Sequence, residues 1–204
     1  MQNNRVALLF ISALFLPACS SSPPVSFYTL TLDAPERSEI AVQTPFPHSI
    51  AIGPVDIPEA VNRSQLVVRV GPNRVAVLEA EHWAEPLKNG ISQLVAACLR
   101  RDLEGASVAP LALSRSGAAE FSVSLDVQRF ESLPDEAAVI DVVWAIKRRG
   151  ADSEPITVTT HLREAVQGAG YEALVAAHSR ALATLSRAIA AALVTSQQDA
   201  PAPR

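Results

Sequence analysis

The thiol of Cys19 lies at a position where it could be covalently modified with a lipid. Cys19 ends the tetrapeptide Leu16-Pro17-Ala18-Cys19 at the close of an 11-residue stretch, Val6 to Leu16, that is apolar except for Ser12. Arg5 makes the start of the chain basic, and a basic segment before an apolar run and a small residue is the order of a secretory signal. A cysteine directly after the small residue predicts cleavage before Cys19 and acylation of its thiol. We therefore predict a lipoprotein signal peptide over residues 1–18 and lipidation at Cys19.

Two alternatives to a lipid anchor are an ordinary signal peptide with a chance cysteine and a transmembrane anchor. The apolar run has 11 residues, whereas a membrane-spanning helix needs about 20, and this disfavours the transmembrane anchor. Residues 19–26 form the predicted acylated tether, in which Ser20-Ser21-Ser22-Pro23-Pro24 is too polar to pack. A serine after the cysteine, where aspartate would favour retention in the inner membrane, predicts an outer-membrane protein that faces the periplasm.

Residue types that catalyse reactions or hold metals are present, but not in the patterns that such chemistry needs. No metal-ligand spacing such as His-x3-His links His48, His82, His161 and His178. A nucleophile elbow and a glycine-rich phosphate loop are also missing from the sequence. Asp135-Glu136 falls in a predicted turn, where solvated charges are expected. We predict no catalytic residues, no metal and no cofactor.

The length and charge of the chain after cleavage limit its class further. Removal of residues 1–18 leaves 186 of the 204 residues, which is enough for one domain with a substantial core. Loss of Arg5 changes the formal net charge from −4 to −5. A mildly acidic domain without a basic run argues against nucleic acid as a partner. It also argues against electrostatic docking on anionic lipids, so that the acyl group on Cys19 has to provide the anchor.

Hydrophobic periodicity predicts an α+β domain over residues 27–196, followed by a disordered tail over 197–204. Helical spacing of apolar residues predicts helices over 86–103 and 171–194. Alternation predicts a hairpin about Gly71-Pro72-Asn73 and a later antiparallel meander. The predicted strands are 27–32, 49–52 (ended by Gly53-Pro54), 66–70, 74–78, 121–128, 140–147 and 156–162. The expected class is a two-layer sandwich, an antiparallel or mixed sheet with two amphipathic helices packed on it.

Cys98 and His178 fall on the apolar stripes of the two predicted helices. Cys98 shares its stripe with Leu94 and Val95 and is predicted to be a buried, unpaired thiol. His178 is predicted to be a core histidine with one hydrogen bond and not a metal ligand. Both residues are therefore expected to serve packing.

The segment from residue 62 to 86 is unusually rich in arginine, turn and aromatic residues for a chain without catalytic motifs. Arg69 lies within an apolar strand, and Trp83 and Glu85 flank the start of the first helix. They could lock a corner of the fold, with Arg69 resting on an aromatic ring or paired with Glu85. They could instead bind a partner together with Arg74 at the hairpin, because interfaces favour tryptophan and arginine. Both interpretations stay open at this point.

The order Gly53-Pro54-Val55, Gln65-Leu66-Val67-Val68-Arg69 and Trp83-Ala84-Glu85-Pro86-Leu87 behind a lipoprotein signal closely resembles the ABC-type transport auxiliary lipoprotein family. The PqiC/YmbA outer-membrane lipoproteins belong to this family. The resemblance covers nearly the whole mature chain, from Phe27 to the final helix. At His82 the chain departs from the pattern, since an arginine commonly precedes the tryptophan.

The resemblance implies a non-catalytic outer-membrane subunit of an MCE-type intermembrane lipid transport system. Its partner would be the MCE-domain protein of an inner-membrane transporter, whose periplasmic conduit it would dock, and it could also form a homo-oligomer. The alternative from another class is an assembly or plug lipoprotein that partners an outer-membrane β-barrel. An envelope hydrolase is disfavoured by the missing nucleophile and base. Within the chain, we predict that the partner contacts the turn near Pro72–Arg74.

Overall fold

The computed structural model describes residues 24–32, 45–111, 119–150 and 154–198. Ten helices and strands are found in these ranges, together with one 3-10 turn over Glu59–Val61. The strands are β1 (Ser26–Tyr28), β2 (Ser49–Asp56), β3 (Gln65–Gly71), β4 (Arg74–Trp83), β5 (Ser107–Pro110), β6 (Phe121–Leu133), β7 (Ala137–Arg148) and β8 (Ile156–Ala165). The helices are α1 (Leu87–Asp102) and α2 (Gly170–Gln198).

The strands divide into two mixed sheets. The larger sheet has the order β5-β2-β6-β7-β8, in which β2 runs parallel to both β5 and β6, while β6, β7 and β8 form the antiparallel meander. The smaller sheet has the order β1-β4-β3, with an antiparallel hairpin of β3 and β4 and a parallel β1 at its edge. The predicted hairpin and meander are confirmed, but the separation into two sheets was not expected from the pattern.

Both helices pack on one face of the five-stranded sheet and against each other. Helix α1 lies over β2 and β5, and α2 lies over β7 and β8. The predicted stripe of α2 is buried from Leu174 to Leu193, and β6 alternates buried Phe121, Val123, Leu125 and Val127 with more exposed polar residues. The α+β class with two helices on a mixed sheet is confirmed. Burial of these apolar stripes is the main favourable term for a domain of this kind.

Several strand predictions were wrong in their extent: β4 and β6 each continue five residues beyond their predicted ends, to Trp83 and Leu133, and β1 and β2 also differ. Strand β1 ends at Tyr28 instead of continuing to Leu32, because Leu30 and Leu32 turn inward onto the core and the Thr31 amide donates to Ser179 Oγ on α2 (3.2 Å). Strand β2 does not end at Gly53-Pro54 but continues to Asp56, with an irregular register after Ile52. Gly53 has φ of 128°, a conformation that glycine tolerates and other residues rarely adopt.

Helix α2 extends four residues beyond its predicted end, to Gln198, and so includes the first two residues of the predicted tail. Residues 199–204 lie outside the described ranges, as do the predicted signal peptide and Cys19. Cys98 is fully buried and unpaired, as predicted, and burial raises the pKa of its thiol.

A column of three buried rings joins the two sheets to helix α2. Trp83 at the end of β4 meets Phe130 of β6 edge to face, with ring centroids 6.3 Å apart. Phe130 stacks on the imidazole of His178 at 4.1 Å, and His178 Nε2 is hydrogen-bonded to Ser132 Oγ at 2.8 Å. His178 Nδ1 is buried and has no hydrogen-bond partner among the described residues. Burial lowers the pKa of His178 from 6.5 to about 3, and the predicted core role of this histidine is confirmed.

The buried imidazole predicts a loss of stability in mild acid. Below pH 6.5 the imidazole of His178 is protonated in the unfolded chain. In the folded chain it stays neutral until the pH falls to about 3. The free energy of unfolding should therefore fall with pH across this window, with a contribution approaching about 1.4 kcal/mol per pH unit. Urea unfolding between pH 6.5 and 4 should show a shallower slope for His178→Phe than for the wild type. His161, whose side chain is 73% exposed, is the control, since His161→Gln leaves the buried imidazole in place and should keep the slope.

Candidate functional site

The β3–β4 hairpin presents the predicted partner-binding turn at one end of the smaller sheet. Its register pairs Arg69 with Val75 and Gly71 with Arg74, so that Pro72 and Asn73 form the tip. Both tip residues are exposed. The local sequence explains the turn, since proline and asparagine favour turn conformations and cannot easily continue a paired strand.

Arg69 connects this turn to the five-stranded sheet. Its Nη1 donates to the carbonyl oxygen of Pro72 at 2.6 Å, and its Nε donates to Glu131 Oε2 at 3.1 Å. A second contact joins Nη2 to the other Glu131 oxygen, which makes the pair bidentate. Such a fork-to-fork pair fixes geometry as well as charge. The sequence analysis allowed for a pair with Glu85 or an aromatic ring, and the structure shows that the partner is Glu131.

Glu131 is a shared acceptor for two arginines. Arg129 Nη2 donates to Glu131 Oε2 at 2.6 Å and also approaches Asp141 Oδ2 through its Nη1 at 3.8 Å. The hydrogen bond from Arg129, followed by the one from Arg69, holds the pKa of Glu131 below its usual value. This cluster was missed from the sequence, because Glu131 lies 62 residues from Arg69 and beyond the predicted end of its strand.

Trp83 and Glu85 lie at the other end of β4 from the turn. Trp83 is 7% exposed, with its ring against Phe130 and its amide donating to the Ser64 carbonyl at 2.7 Å. Glu85 accepts a hydrogen bond from Gln93 Nε2 at 2.6 Å beside the first turn of α1. The structure therefore does not bring Trp83 and Glu85 together with Arg69 and Arg74.

Arg74 differs from Arg69 in having an exposed side chain for which the described part of the chain offers no hydrogen bond or ion pair. Three exposed valines lie on the same hairpin: Val70 (42%) is on the face that Arg74 shares, and Val75 (54%) and Val77 (36%) are on the opposite face, with Arg69. We call Arg74 and these three valines the hairpin patch. A basic side chain among exposed apolar residues has the composition of a protein-binding surface.

Two clefts adjoin the elements described. One of about 190 Å³ lies beneath the hairpin, between Val61, Val67 and Phe130. The other, of about 470 Å³, lies at the start of α1 and is lined by Pro54, Lys88, Ser92 and Leu111 among others. The second cleft was missed from the sequence, where the only signal was the Gly53-Pro54 pair within a strand.

Within the four described ranges, no group of three or more histidine, cysteine or acidic side chains is placed to hold a metal ion. The helices of these ranges include none with the length and hydrophobicity to cross a membrane.

Comparison with known proteins identifies the family of this two-layer α+β chain. The family model described as ABC-type transport auxiliary lipoprotein component matches residues 28–190, and the chain belongs to this family. The resemblance found in the sequence is thus confirmed. The chain is an auxiliary lipoprotein of ABC-type transport, a class held at a membrane by its lipid. No curated protein sequence matches the chain.

Among the solved structures that match, two share the fold over most of this chain. The crystal structure of protein XCC0632 from Xanthomonas campestris, of the family DUF330, is 19% identical with a TM-score of 0.66 and aligns with 85% of this chain and 98% of its own. The crystal structure of an uncharacterized protein is 21% identical with a TM-score of 0.68 and aligns with 83% of this chain and 99% of its own. At these identities the likeness shows the architecture alone.

The contrast between Arg69 and Arg74 predicts different effects of the same substitution. Arg69→Met leaves the half-buried Glu131 with one arginine fewer and frees the turn, so the free energy of unfolding should drop by about 1–3 kcal/mol. Arg74→Met, the matched control, should change it by less than about 0.5 kcal/mol. Urea unfolding at pH 7 measures both.

The Arg69 effect should also depend on pH. Because the pKa of Glu131 is lowered in the folded chain, its pairing contributes fully above pH 4.5 and is lost as the pH falls through the folded-state pKa. The difference between wild type and Arg69→Met should shrink accordingly. Equal effects of the two substitutions at pH 7 would contradict a structural role for Arg69.

Proposed function

We propose that this chain is the outer-membrane lipoprotein subunit of an MCE-type intermembrane lipid transport system. It is anchored through acylated Cys19, faces the periplasm and docks the periplasmic conduit of the MCE-domain protein. Family membership supports the transport role, and the segment Leu16-Pro17-Ala18-Cys19-Ser20 supports the anchor and its outer-membrane address. The observation that carries the docking proposal is the exposed hairpin patch.

The position of the hairpin patch suits a partner that comes from the periplasm. Strand β1, which follows the tether from Cys19, pairs with Glu81–Trp83 at the end of β4. The turn lies at the beginning of β4, eight residues before His82, which at about 3.3 Å per residue is roughly 26 Å along the strand. The anchored end of the smaller sheet and its proposed docking end are therefore opposite ends of one strand.

The chemistry of the hairpin patch defines what it would bind. Val70, Val75 and Val77 offer apolar area, and Arg74 offers a cation that is not already neutralised within the described residues. The complementary surface carries a carboxylate opposite Arg74 and reaches around the hairpin with apolar groups for Val75 and Val77 on its other face. Because Arg69 and Glu131 hold the turn in place, the hairpin is prepared for binding without first losing much conformational freedom.

A non-catalytic role is supported by the environment of Ser132 and His178. Their side chains are in hydrogen-bond contact, which is the first requirement of a serine nucleophile and its base. Ser132 is 5% exposed and His178 is fully buried, so a substrate has no access to either group. Ser132 and His178 are therefore part of the buried core, where their hydrogen bond stabilises the fold.

Substitution of the anchor tests the localisation. Cys19→Ser removes the thiol that would be acylated, and the protein should move from the outer-membrane fraction to the periplasmic fraction. Cys98→Ser is the control, since its thiol is buried and unpaired and its loss should leave any surviving protein with the outer membrane. Fractionation detects the location of the protein, and mass measurement of the intact protein detects the acyl chains on Cys19. A Cys19→Ser protein that stays with the outer membrane in cells lacking the MCE partner would refute the anchor.

Charge reversal at the hairpin tests the docking surface. Arg74→Glu should weaken co-purification with the MCE-domain protein by about tenfold, since it replaces an attraction by a repulsion at the interface. Arg187→Glu, at an exposed position of α2, is the matched control with the same change of charge. Both variants should keep the wild-type melting temperature. Unchanged complex formation by Arg74→Glu would exclude the hairpin as the docking surface, and co-purification with an outer-membrane β-barrel protein in place of the MCE protein would favour the alternative function.

A further inference from the structure

Two apolar side chains lie on the outside at β1: Val25, just before the strand, and Phe27 within it. Phe27 is 67% exposed and Val25 is 51% exposed, and both exceed the other large apolar side chains near this end of the smaller sheet. They alternate with Ser26 and Tyr28, so the two pairs point to opposite sides of the strand. Ser26 and Tyr28 point inward, and the Tyr28 hydroxyl donates a hydrogen bond to Glu81 Oε2 at 2.5 Å. An edge strand in water would be expected to show the reverse arrangement.

The described residues around Phe27 do not cover it. Its ring lies 5.8 Å from that of His82, tilted by 54°, and the register aligns Phe27, His82 and Gln65 in one row across the three strands. A row of an aromatic ring, an imidazole and an amide combines an apolar body with polar tips. Side chains of this mixed character are favoured at the interface between lipid and water.

The length of chain between Cys19 and β1 says what is available to cover Phe27. Val25 follows Cys19 by six positions, and a fully extended chain spans at most about 3.6 Å per residue, which gives roughly 22 Å. If Cys19 is acylated, as proposed above, Val25 can never be much farther than this from the lipid surface. The tether therefore holds the two exposed apolar side chains beside a bilayer at high effective concentration.

We propose that Val25 and Phe27 insert into the surface of the leaflet to which Cys19 is attached, and so seat the smaller sheet on the membrane. The proposal rests on the proposed lipid anchor. It goes beyond the anchor because it assigns a second, non-covalent membrane contact to the folded domain. This contact fixes which end of β4 faces the lipid and leaves the hairpin patch at the other end. Because the contact is apolar, it should not depend on anionic lipid or on salt concentration.

Depth-dependent quenching of tryptophan fluorescence tests whether Val25 and Phe27 insert into the leaflet, a contact that we call the seat. The variant Phe27→Trp places a reporter on β1, and Val75→Trp places a matched one on the hairpin, where Val75 is 54% exposed. The native Trp83 and Trp144 are buried, and the parent chain supplies their signal for subtraction. Each acylated protein, expressed from the full chain, is reconstituted in phosphatidylethanolamine vesicles with and without a lipid that carries a nitroxide at its headgroup or upper acyl chain.

The Phe27→Trp reporter is expected to shift its emission to the blue and to be quenched at least twofold more than the Val75→Trp reporter, to the same extent with and without phosphatidylglycerol. Equal quenching of the two reporters, or no quenching of the one on β1, would overturn the proposal. A blue shift without nitroxide quenching that grows with protein density would assign β1 to a second copy of the chain and would also overturn it.

A separate arm distinguishes failure of the seat from failure of the anchor. Where mass measurement shows that Cys19 is not acylated, the Phe27→Trp protein is coupled to the vesicles through a maleimide lipid on the Cys19 thiol, since Cys98 is buried. Quenching of the β1 reporter in this arm would support the seat even though the cellular anchor assignment failed. Its absence would overturn the seat whatever the state of the anchor.

Discussion

Three consecutive residues of β6, Phe130, Glu131 and Ser132, carry the contacts on which the rest of the structure depends. Neighbouring side chains of a strand point to opposite faces. Phe130 and Ser132 therefore face inward, where they meet Trp83 and His178. Glu131 faces outward and binds Arg69 of the hairpin. One short segment thus joins the smaller sheet and helix α2 to the larger sheet from both of its faces.

This arrangement explains why two arginines five residues apart have different roles. The guanidinium of Arg69 donates hydrogen bonds to the Glu131 carboxylate and to the Pro72 carbonyl, and these contacts stabilise the fold. Arg74 lies past the turn, where no described acidic group pairs with it. The first arginine stabilises the hairpin in one position, and the second is presented by it. A stable turn with a free cation at its side, among the described residues, is what a preformed binding surface requires.

The two sheets differ in how much apolar side-chain surface they leave exposed. The five-stranded sheet and its helices bury the apolar stripes of the sequence and form the body of the domain. The three-stranded sheet exposes apolar side chains at both ends, Phe27 beside the tether and Val75 beside the turn. For an auxiliary lipoprotein of a transport system, exposed apolar ends on a sheet fixed to a rigid body would suit contact with lipid at one end and with protein at the other.

The sequence by itself determined the family, the α+β class, both helices, the hairpin and the meander. Each of these depends on residues close together in the chain: apolar periodicity, a Gly-Pro-Asn turn, and a proline ahead of the first helix. The burial of Cys98 and His178 followed in the same way from their places on apolar stripes. The lipid anchor at Cys19 remains a prediction, since it lies outside the described residues.

Only the tertiary structure decided which strands belong to which of the two sheets and which carboxylate pairs with Arg69. Parallel pairing of β1 with β4 joins residues 55 positions apart, and the Arg69–Glu131 pair joins residues 62 positions apart. Local periodicity carries no information about contacts at such separations. The inward turn of Leu30 and Leu32 had the same origin, since alternation predicted a strand whereas burial against the helices was more favourable than continued pairing at an edge. Strand β5 was missed because four residues ending in Pro110 are too short to show a period, and its pairing with β2 is fixed by the packing of α1 above it.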